Sequence, residues 1–276
     1  MASRRQQAVW KQHAGQWRKV GPPLRPSPDD GRLMMTATRA TLAQQPGTAA
    51  VAVLGVTPEI IQLPWPDNAS LQAFDHSAEM IASLWNPHPG LPSTVRRARW
   101  ENLPLPAASV LVAVGDGSLN VLPGLDGYHA VLSEIARVLR PGGLLCLRCF
   151  VRPQRRESLE SVVDAVSQGE VTTFHTLKWR IAMALSTAPD FSVPVTDIHA
   201  AFQSTYPERS DLSRLTGWPI EVINTIDAYQ GAPTRYTFPT MAALLEIGTR
   251  YLAPGDALHG EYELAERCPT MTFRRQ

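Results

Sequence analysis

The chain has 276 residues, of which 44% are hydrophobic and 18% charged, with 26 Lys and Arg against 25 Asp and Glu. This composition predicts a soluble globular protein and excludes a strongly acidic or basic disordered chain. The longest apolar runs, 108–114 and 144–151, are much shorter than the ~20 residues that cross a bilayer, so no membrane segment is expected. Three cysteines and no signal-like N-terminus predict a cytoplasmic protein with reduced thiols.

Basic residues are concentrated at the start of the chain, before the first acid, Asp29. Such a patch can indicate nucleic-acid binding. The remaining chain carries 25 acids against 20 bases (26 minus these six) and no recognisable nucleic-acid-binding motif, so nucleic acid is not expected as a partner. The six basic residues are Arg4, Arg5, Lys11, Arg18, Lys19 and Arg25.

The first 45 residues are predicted to form an arm and a helix that together act as a lid. The segment up to Gly31 is polar and rich in proline, which indicates an arm with one short helix over 10–17. A cap at Ser27 or Asp29 predicts a helix through about Gln44, before a proline and a glycine end it.

Residues 46–151 alternate short apolar runs with helical stretches. The runs predict strands over 49–55, 70–75, 109–115 and 143–151, and the spacing predicts a helix over 126–140. Near-continuous apolar strands that alternate with helices are typical of a parallel sheet covered on both faces. This region therefore predicts a doubly wound α/β core.

The pattern changes after this core. Residues 152–240 show helical spacing with no strand between the helices, which predicts an inserted helical lobe that binds substrate. Residues 241–276 return to strand patterning, and runs at 245–255 and 268–276 predict a hairpin that completes the core sheet.

Two turns in the core carry candidate nucleotide contacts. Gly55 ends the first strand and is followed by Thr57 and Pro58, a proline suited to the first position of a helix. The second strand ends at Asp75, where an acid can accept both hydroxyls of a ribose. Each feature alone has a simpler explanation, a tight turn for Gly55 and a helix cap over 77–84 for Asp75. Together they predict an adenosine-type nucleotide site.

Two motifs make a family resemblance specific. LRPGG at 139–143 lies between a predicted helix and strand, and D-x-S-x-x-M occurs at Asp75, Ser77 and Met80. Over 46–151 the sequence resembles the class I S-adenosylmethionine-dependent methyltransferases, with LGVTPEI at 54–60 as a variant first motif. The resemblance implies a Rossmann-like doubly wound sheet of strand order 3-2-1-4-5-7-6 with a helical insertion. It also implies S-adenosylmethionine as cofactor and S-adenosylhomocysteine as product.

The resemblance implies roles for individual residues. The first turn would lie beneath the methionine part, Asp75 would hold the ribose, and Trp100 would lie against the adenine, although a core or lid tryptophan is the alternative for Trp100. Cofactor contacts are thus implied for Gly55, Thr57, Pro58, Asp75, His76, Met80, Trp100, Gly115 and Asp116.

Acceptor contacts are expected from the loop after the fourth strand and from the helical lobe. Asp116 and Asn120 can orient a polar acceptor, although Asp116 can equally be a turn residue. His175 can accept a proton, and its alternative is a hydrogen-bonded structural histidine. Arg25 in the arm can pair with a ligand carboxylate. Further candidates for the substrate wall are Tyr128, His129, Trp179, Arg180 and Tyr236.

Cys146 and Cys149 have the spacing of a redox pair or a zinc site. Residues three apart in a strand point to opposite faces of the sheet, so neither use is predicted. No metal site is expected.

The resulting prediction is a methyltransferase that transfers a methyl group to a small molecule by in-line displacement, largely through positioning. Family members usually carry several glycines in the first turn, and this chain has one. That departure supports an alternative, a non-catalytic methyltransferase-like subunit whose lobe binds a protein partner. A nicotinamide-dependent oxidoreductase is disfavoured because the G-x-G-x-x-G turn is missing. The acceptor and the oligomeric state stay open.

Overall fold

The computed structural model describes residues 17–276, so nearly all of the short helix predicted over 10–17 lies outside the described residues. The strands of the described part are β1 (Ala49–Leu54), β2 (Ala69–Asp75), β3 (Ser93–Arg97), β4 (Val110–Asp116), β5 (Leu139–Arg148), β6 (Ser192–Pro194), β7 (Arg235–Thr237), β8 (Ala253–Leu258) and β9 (Thr270–Arg274).

The helices of the same part are α1 (Pro28–Ala43), α2 (Pro58–Ile61), α3 (Ala78–Leu84), α4 (Leu125–Val138), α5 (Leu159–Ser167), α6 (Phe174–Leu185), α7 (Val195–Thr205), α8 (Arg209–Thr216), α9 (Ile220–Ile223) and α10 (Met241–Gly248). Short 3₁₀ turns occur at Trp17–Lys19, Asn224–Tyr229 and Ala265–Arg267. None of these helices is long and apolar enough to cross a membrane.

The central sheet has the strand order β3-β2-β1-β4-β5-β9-β8. Neighbouring strands from β3 to β5 are parallel, and β9 is antiparallel to both β5 and β8. The predicted order 3-2-1-4-5-7-6 is confirmed, because β6 and β7 belong to a separate two-stranded sheet and β8 and β9 take the last two places. The fold is therefore the predicted Rossmann-like doubly wound α/β fold.

The LRPGG motif forms a bulge rather than a simple turn. Leu139 pairs with Val110 and Leu144 with Val112, so β5 has extra residues over this stretch. A Cβ at Gly143 would lie 2.8 Å from the carbonyl oxygen of Arg140, which leaves no room for a side chain. The predicted helix over 126–140 consequently ends at Val138, and the strand begins earlier than 143.

Capping and burial explain the two helices at the ends of the chain. Ser27, one of the two predicted caps, caps α1, and its hydroxyl forms a capping box with Asp30. The strand predicted over 245–255 is wrong in its first part, where α10 forms instead. The Thr240 side chain caps that helix, and Leu244 and Ile247 bury one face of it at helical spacing.

Two other strand predictions need correction. The lobe was expected to have helices only, but β6 and β7 pair in it as an antiparallel ribbon. Each has three residues, too few for a period-two pattern to show in the sequence. β3 was not recognised because it is an edge strand with no buried residue.

Apolar side chains form three clusters. One covers the face of the sheet under α1, α2 and α3, and a second covers the opposite face under α4 and α10. The third lies mainly in the lobe between β5 and α10 and includes Leu264 and Cys268 from the segment before β9. The sheet is thus covered on both faces, and the helical cluster stands beyond the carboxyl ends of the parallel strands.

Candidate functional site

A cavity of about 1100 Å³, counting its open mouth, lies at the carboxyl ends of β1, β2 and β4. The strand order reverses direction between β1 and β4, and ligands of open α/β sheets bind at such a point. One wall comes from Gly55, Asp75 and Asp116, which end these strands or directly follow them. The facing wall comes from α6, the 3₁₀ turn 224–229 and β7, while the segment 17–24 contributes to the lining as well.

The first turn is compact although it contains one glycine. Gly55 has φ +113, a backbone conformation that favours glycine, and its N–H donates to the carbonyl oxygen of Phe74 at 2.8 Å. A Cβ at Gly55 would project to 3.9 Å from the Trp100 ring. The hydroxyl of Ser118 donates to the carbonyl oxygen of Leu54 at 2.8 Å, so the turn is held from the β4 side. The backbone at Gly55 can therefore lie directly against a ligand.

Asp75 has a carboxyl group that is buried at the cavity. It accepts hydrogen bonds from the backbone N–H groups of Ser77, at 2.8 Å, and of His76. The helix cap of α3 is the Ser77 hydroxyl, which accepts from the N–H of Met80 at 3.1 Å, so Asp75 is not that cap. Burial raises the pKa of Asp75 to about 6.

Trp100 is fixed at the edge of the cavity. Its indole N–H donates to the carbonyl oxygen of Phe74 at 2.6 Å, and its side chain is buried. The ring lines the same cavity as Asp75, His76 and Met80. The pKa of His76 is lowered by burial and by the charge of Arg99, which keeps its imidazole neutral at pH 7.

Asp116 lines the cavity, but its carboxylate belongs to a buried ion cluster. Nε of Arg148 lies 2.5 Å from Asp116 Oδ1, and Nη1 lies 3.2 Å from Asp30 Oδ2. The hydroxyl of Tyr262 lies 3.1 Å from the same Nη1. Burial raises the pKa of Asp116, and the charge of Arg148 opposes that rise. The side chain therefore supports the floor of the cavity and is already occupied by a counter-charge.

Asn120 makes three side-chain hydrogen bonds, all of them to the backbone. Its Nδ2 donates to the carbonyl oxygens of Phe150 and Thr237, each at 2.7 Å, and its Oδ1 accepts from the N–H of Phe150 at 2.9 Å. It lines the cavity but holds three chain segments together, so we assign it no contact with an acceptor.

His175 does not line the cavity. Its Nε2 lies 3.1 Å from the carbonyl oxygen of Lys19, which ties the segment 17–24 to α6. Burial lowers the pKa of His175 to about 4, so the imidazole is neutral at pH 7. Arg25 pairs with Glu59 of α2 at 2.7 Å, which attaches the chain just after this segment to the first turn as well.

The remaining predicted residues divide between the cavity and its surroundings. Gly55, Thr57, His76, Met80, Trp100, Trp179 and Tyr236 line it, with Asp75, Asp116 and Asn120. Pro58 starts α2 and Gly115 packs against Ser118 behind the lining. Tyr128 donates to the carbonyl oxygen of Thr237, His129 pairs with Tyr251, and Arg180 pairs with Glu157, all away from the lining.

Lys178 is a cavity residue that the sequence reasoning missed. It lies on α6, is 3% exposed, and lines the cavity next to Trp179. Burial lowers its pKa to about 7. A signal was present in the sequence, because Lys178 is one of three lysines in the chain and stands between the apolar residues Leu177 and Trp179.

Among residues 17–276, no group of three or more His, Cys, Asp or Glu side chains lies close enough to hold a metal ion. Cys146, Cys149 and Cys268 are buried and free.

Comparisons with known proteins agree with this architecture. Residues 54–147 match the family model described as a methyltransferase domain. This segment runs from the end of β1 to the last residues of β5, and it contains the first turn, Asp75, Trp100 and the LRPGG bulge. A comparison with curated protein sequences gives no match.

Solved structures share the fold at low sequence identity. A protein from Rhodobacter sphaeroides, described provisionally as a Zn-dependent alcohol dehydrogenase, has a TM-score of 0.62 and 13% identity, with 100% of each chain covered. The 1,6-didemethyltoxoflavin-N1-methyltransferase of Burkholderia thailandensis has a TM-score of 0.50 and 14% identity, over 100% of this chain and 92% of that one. It was solved with 1,6-didemethyltoxoflavin and S-adenosylhomocysteine bound. At these identities the likeness establishes the fold alone.

Proposed function

We propose that this protein is an S-adenosylmethionine-dependent methyltransferase that acts on a small molecule. The observation that carries the proposal is the convergence of Gly55, Asp75 and Trp100 on one cavity at the point where the strand order reverses. The match of residues 54–147 to a methyltransferase domain supports it.

The residues present fit the cofactor. The carboxylate of Asp75 can accept both ribose hydroxyls, the face of Trp100 can stack on the adenine, and the left-handed backbone at Gly55 leaves space for the methionine part. When bound, the cofactor supplies a methyl group on a sulfonium sulfur. The protein has to hold an acceptor atom ~3–3.5 Å from that carbon and keep water out.

A small acceptor is favoured by the shape of the cavity. Trp17, Val20 and Leu24 contribute to its lining from outside the sheet, and Trp179 and Tyr236 contribute from the facing wall. Small-molecule ligand sites are lined mainly by apolar and aromatic side chains, and the lining of this cavity fits that description.

Asp75→Asn is expected to weaken the binding of S-adenosylhomocysteine at least ~10-fold, because hydrogen bonds to a charged group contribute ~1.5–3 kcal/mol each. The variant should fold normally, since burial disfavours the carboxylate and an amide oxygen can still accept from Ser77. Calorimetric titration measures the affinity. The matched control is Asp164→Asn, which changes an exposed acid on α5 and should leave the affinity unchanged.

The affinity for S-adenosylhomocysteine should also depend on pH. The pKa of Asp75 is about 6 in the free protein, and ribose hydroxyls that donate to the carboxylate would lower it in the complex. Affinity is then greatest above pH 6 and falls as the pH drops through 6, by up to ~10-fold per pH unit. Titrations on both sides of pH 6 test this. Asp75→Asn should show a flat profile over the same range.

A wild-type protein that binds neither S-adenosylmethionine nor S-adenosylhomocysteine contradicts the proposal. That result favours the alternative of a methyltransferase-like subunit that performs no chemistry and binds a protein partner.

A further inference from the structure

Lys178 is a buried amine without a counter-charge. It lies in the interior of α6, and in the described part of the chain it forms no ion pair or hydrogen bond. Its Nζ lies 5.1 Å from the ring centroid of Tyr229 and 5.8 Å from that of Phe174. A buried ammonium ion is costly unless it is paired. The amine therefore either loses its proton or finds its partner in a ligand, and the side chain lines the cavity.

The part of the cavity around Lys178 is aromatic. Phe150, Trp179, Tyr229 and Tyr236 all contribute to its lining. Trp179 is packed edge-on against Phe150 and Tyr236, with ring centroids 5.2 and 5.3 Å away, and its indole N–H has no partner in the described residues. Rigid aromatic rings, together with the indole N–H of Trp179 and the amine of Lys178, suit a flat ligand that carries an oxygen atom.

The other titratable groups around this amine do not neutralise it. His175 lies one helical turn before Lys178 and is neutral, and Tyr229 and Tyr236 have pKa values raised by burial. The two carboxylates that line the cavity have other partners, because Asp116 is paired to Arg148 and Asp75 accepts from the backbone of Ser77 and His76. Among residues 17–276, no side chain that lines the cavity supplies a counter-charge to Lys178. An acidic group on the ligand would therefore have to supply it.

Building on the proposed function, we propose that Lys178 is the general base of the reaction and that the acceptor is a small planar molecule with an acidic hydroxyl, a phenol or an enol. A protonated amine acceptor is disfavoured because taking its proton would leave the ammonium of Lys178 buried with no anion beside it. Burial lowers the pKa of Lys178 to about 7, which provides a neutral amine at working pH and a proton affinity matched to such a hydroxyl.

The transfer balances with the groups named. The neutral amine of Lys178 takes the hydroxyl proton, which leaves an ammonium ion beside a phenolate or enolate oxygen. That oxygen forms a bond to the methyl carbon, the carbon–sulfur bond breaks, and its electron pair remains on sulfur. The products are a methyl ether, the uncharged thioether and the ammonium of Lys178. The ammonium then releases its proton to water when the cavity opens.

The first test measures the ionisation of Lys178 directly. The chain has three lysines, so protein grown with carbon-13-labelled lysine should give three Cε signals by nuclear magnetic resonance, and Lys178→Met assigns one of them. We expect the Lys178 signal to titrate about 3 pH units below the usual value of ~10.4. Titration of that signal at the usual value overturns the role of base.

The second test measures binding of a coloured phenol, 4-nitrophenol, in the presence of S-adenosylhomocysteine. Below the solution pKa of the phenol, the wild type should bind it and increase the absorbance of its phenolate form. Lys178→Met should weaken this binding at least ~10-fold and abolish the colour change. The matched control is Arg250→Met, which removes an exposed cation of the surface pair with Glu246 and should behave as the wild type.

The two tests separate this inference from the proposed function. Lys178→Met should bind S-adenosylhomocysteine within ~2-fold of the wild type, because Lys178 lies on α6 and none of the residues assigned to the cofactor does. With a phenol that is methylated, the variant should lower kcat by ~10²-fold or more and remove the pH dependence near 7. Normal binding of S-adenosylhomocysteine without any phenolate signal overturns the inference and leaves the proposed function standing. No binding of S-adenosylhomocysteine to the wild type rejects the proposed function itself.

Discussion

Arg148→Met is expected to lower the free energy of unfolding by about 3–5 kcal/mol. The guanidinium is 1% exposed and pairs with Asp116 and Asp30, which belong to β4 and α1. Removing it leaves two carboxylates buried without a counter-charge, and this is more costly than the loss of the ion pairs themselves. Urea denaturation followed by circular dichroism measures the change.

Two further variants show whether uncompensated buried charge causes the loss of stability in Arg148→Met. Combining Arg148→Met with Asp30→Asn and Asp116→Asn should recover a large part of the loss, because no buried charge remains. Arg250→Met breaks an exposed pair and should change stability by less than ~0.5 kcal/mol. A single Arg148→Met variant as stable as the wild type would contradict the account of the cluster.

Asn120→Asp, a change of one side-chain nitrogen to oxygen, is expected to destabilise the protein by about 3–5 kcal/mol. Nδ2 of Asn120 donates to the carbonyl oxygens of Phe150 and Thr237. A carboxylate oxygen in that place would face two acceptors and would add a buried charge. The loss should shrink at low pH, where a protonated acid can donate one of the two hydrogen bonds.

Asn102→Asp provides the matched control, because Asn102 is exposed and should tolerate the change within ~0.5 kcal/mol. Melting temperatures at two pH values give the comparison. If Asn120→Asp melted at the same temperature as the control, the three hydrogen bonds of Asn120 would not be holding its loop, Phe150 and β7 together.

Most of the core sheet could be predicted because its strands are local apolar runs. The order of the sheet followed from the family resemblance of 46–151, and the structure has that order. The errors arose where local patterns are weak or ambiguous. α10 contains apolar residues that suit either a strand or a helix, and its Thr240 cap decides in favour of the helix. The three-residue strands β6 and β7 exist only because distant segments meet.

The residues of the candidate site also differ in how well the sequence predicts them. Gly55 and Asp75 could be selected from sequence, because each lies at the end of a predicted strand, whereas Trp100 followed from the family resemblance alone. The partners of Asn120 and Arg148 come from residues up to 118 positions away, so their hydrogen bonds could not be anticipated. Lys178 was overlooked because burial on both sides of α6 depends on how the lobe packs against the sheet.

The lining of the cavity also makes ligand binding optically visible. Three of the seven tryptophans, Trp17, Trp100 and Trp179, border it from the arm, the sheet and the lobe. An adenine ring stacked on Trp100 would quench one indole, whereas an acceptor near Trp179 would alter another. Intrinsic fluorescence can therefore follow the arrival of each ligand in real time, without a label, and reveal the order in which the two enter.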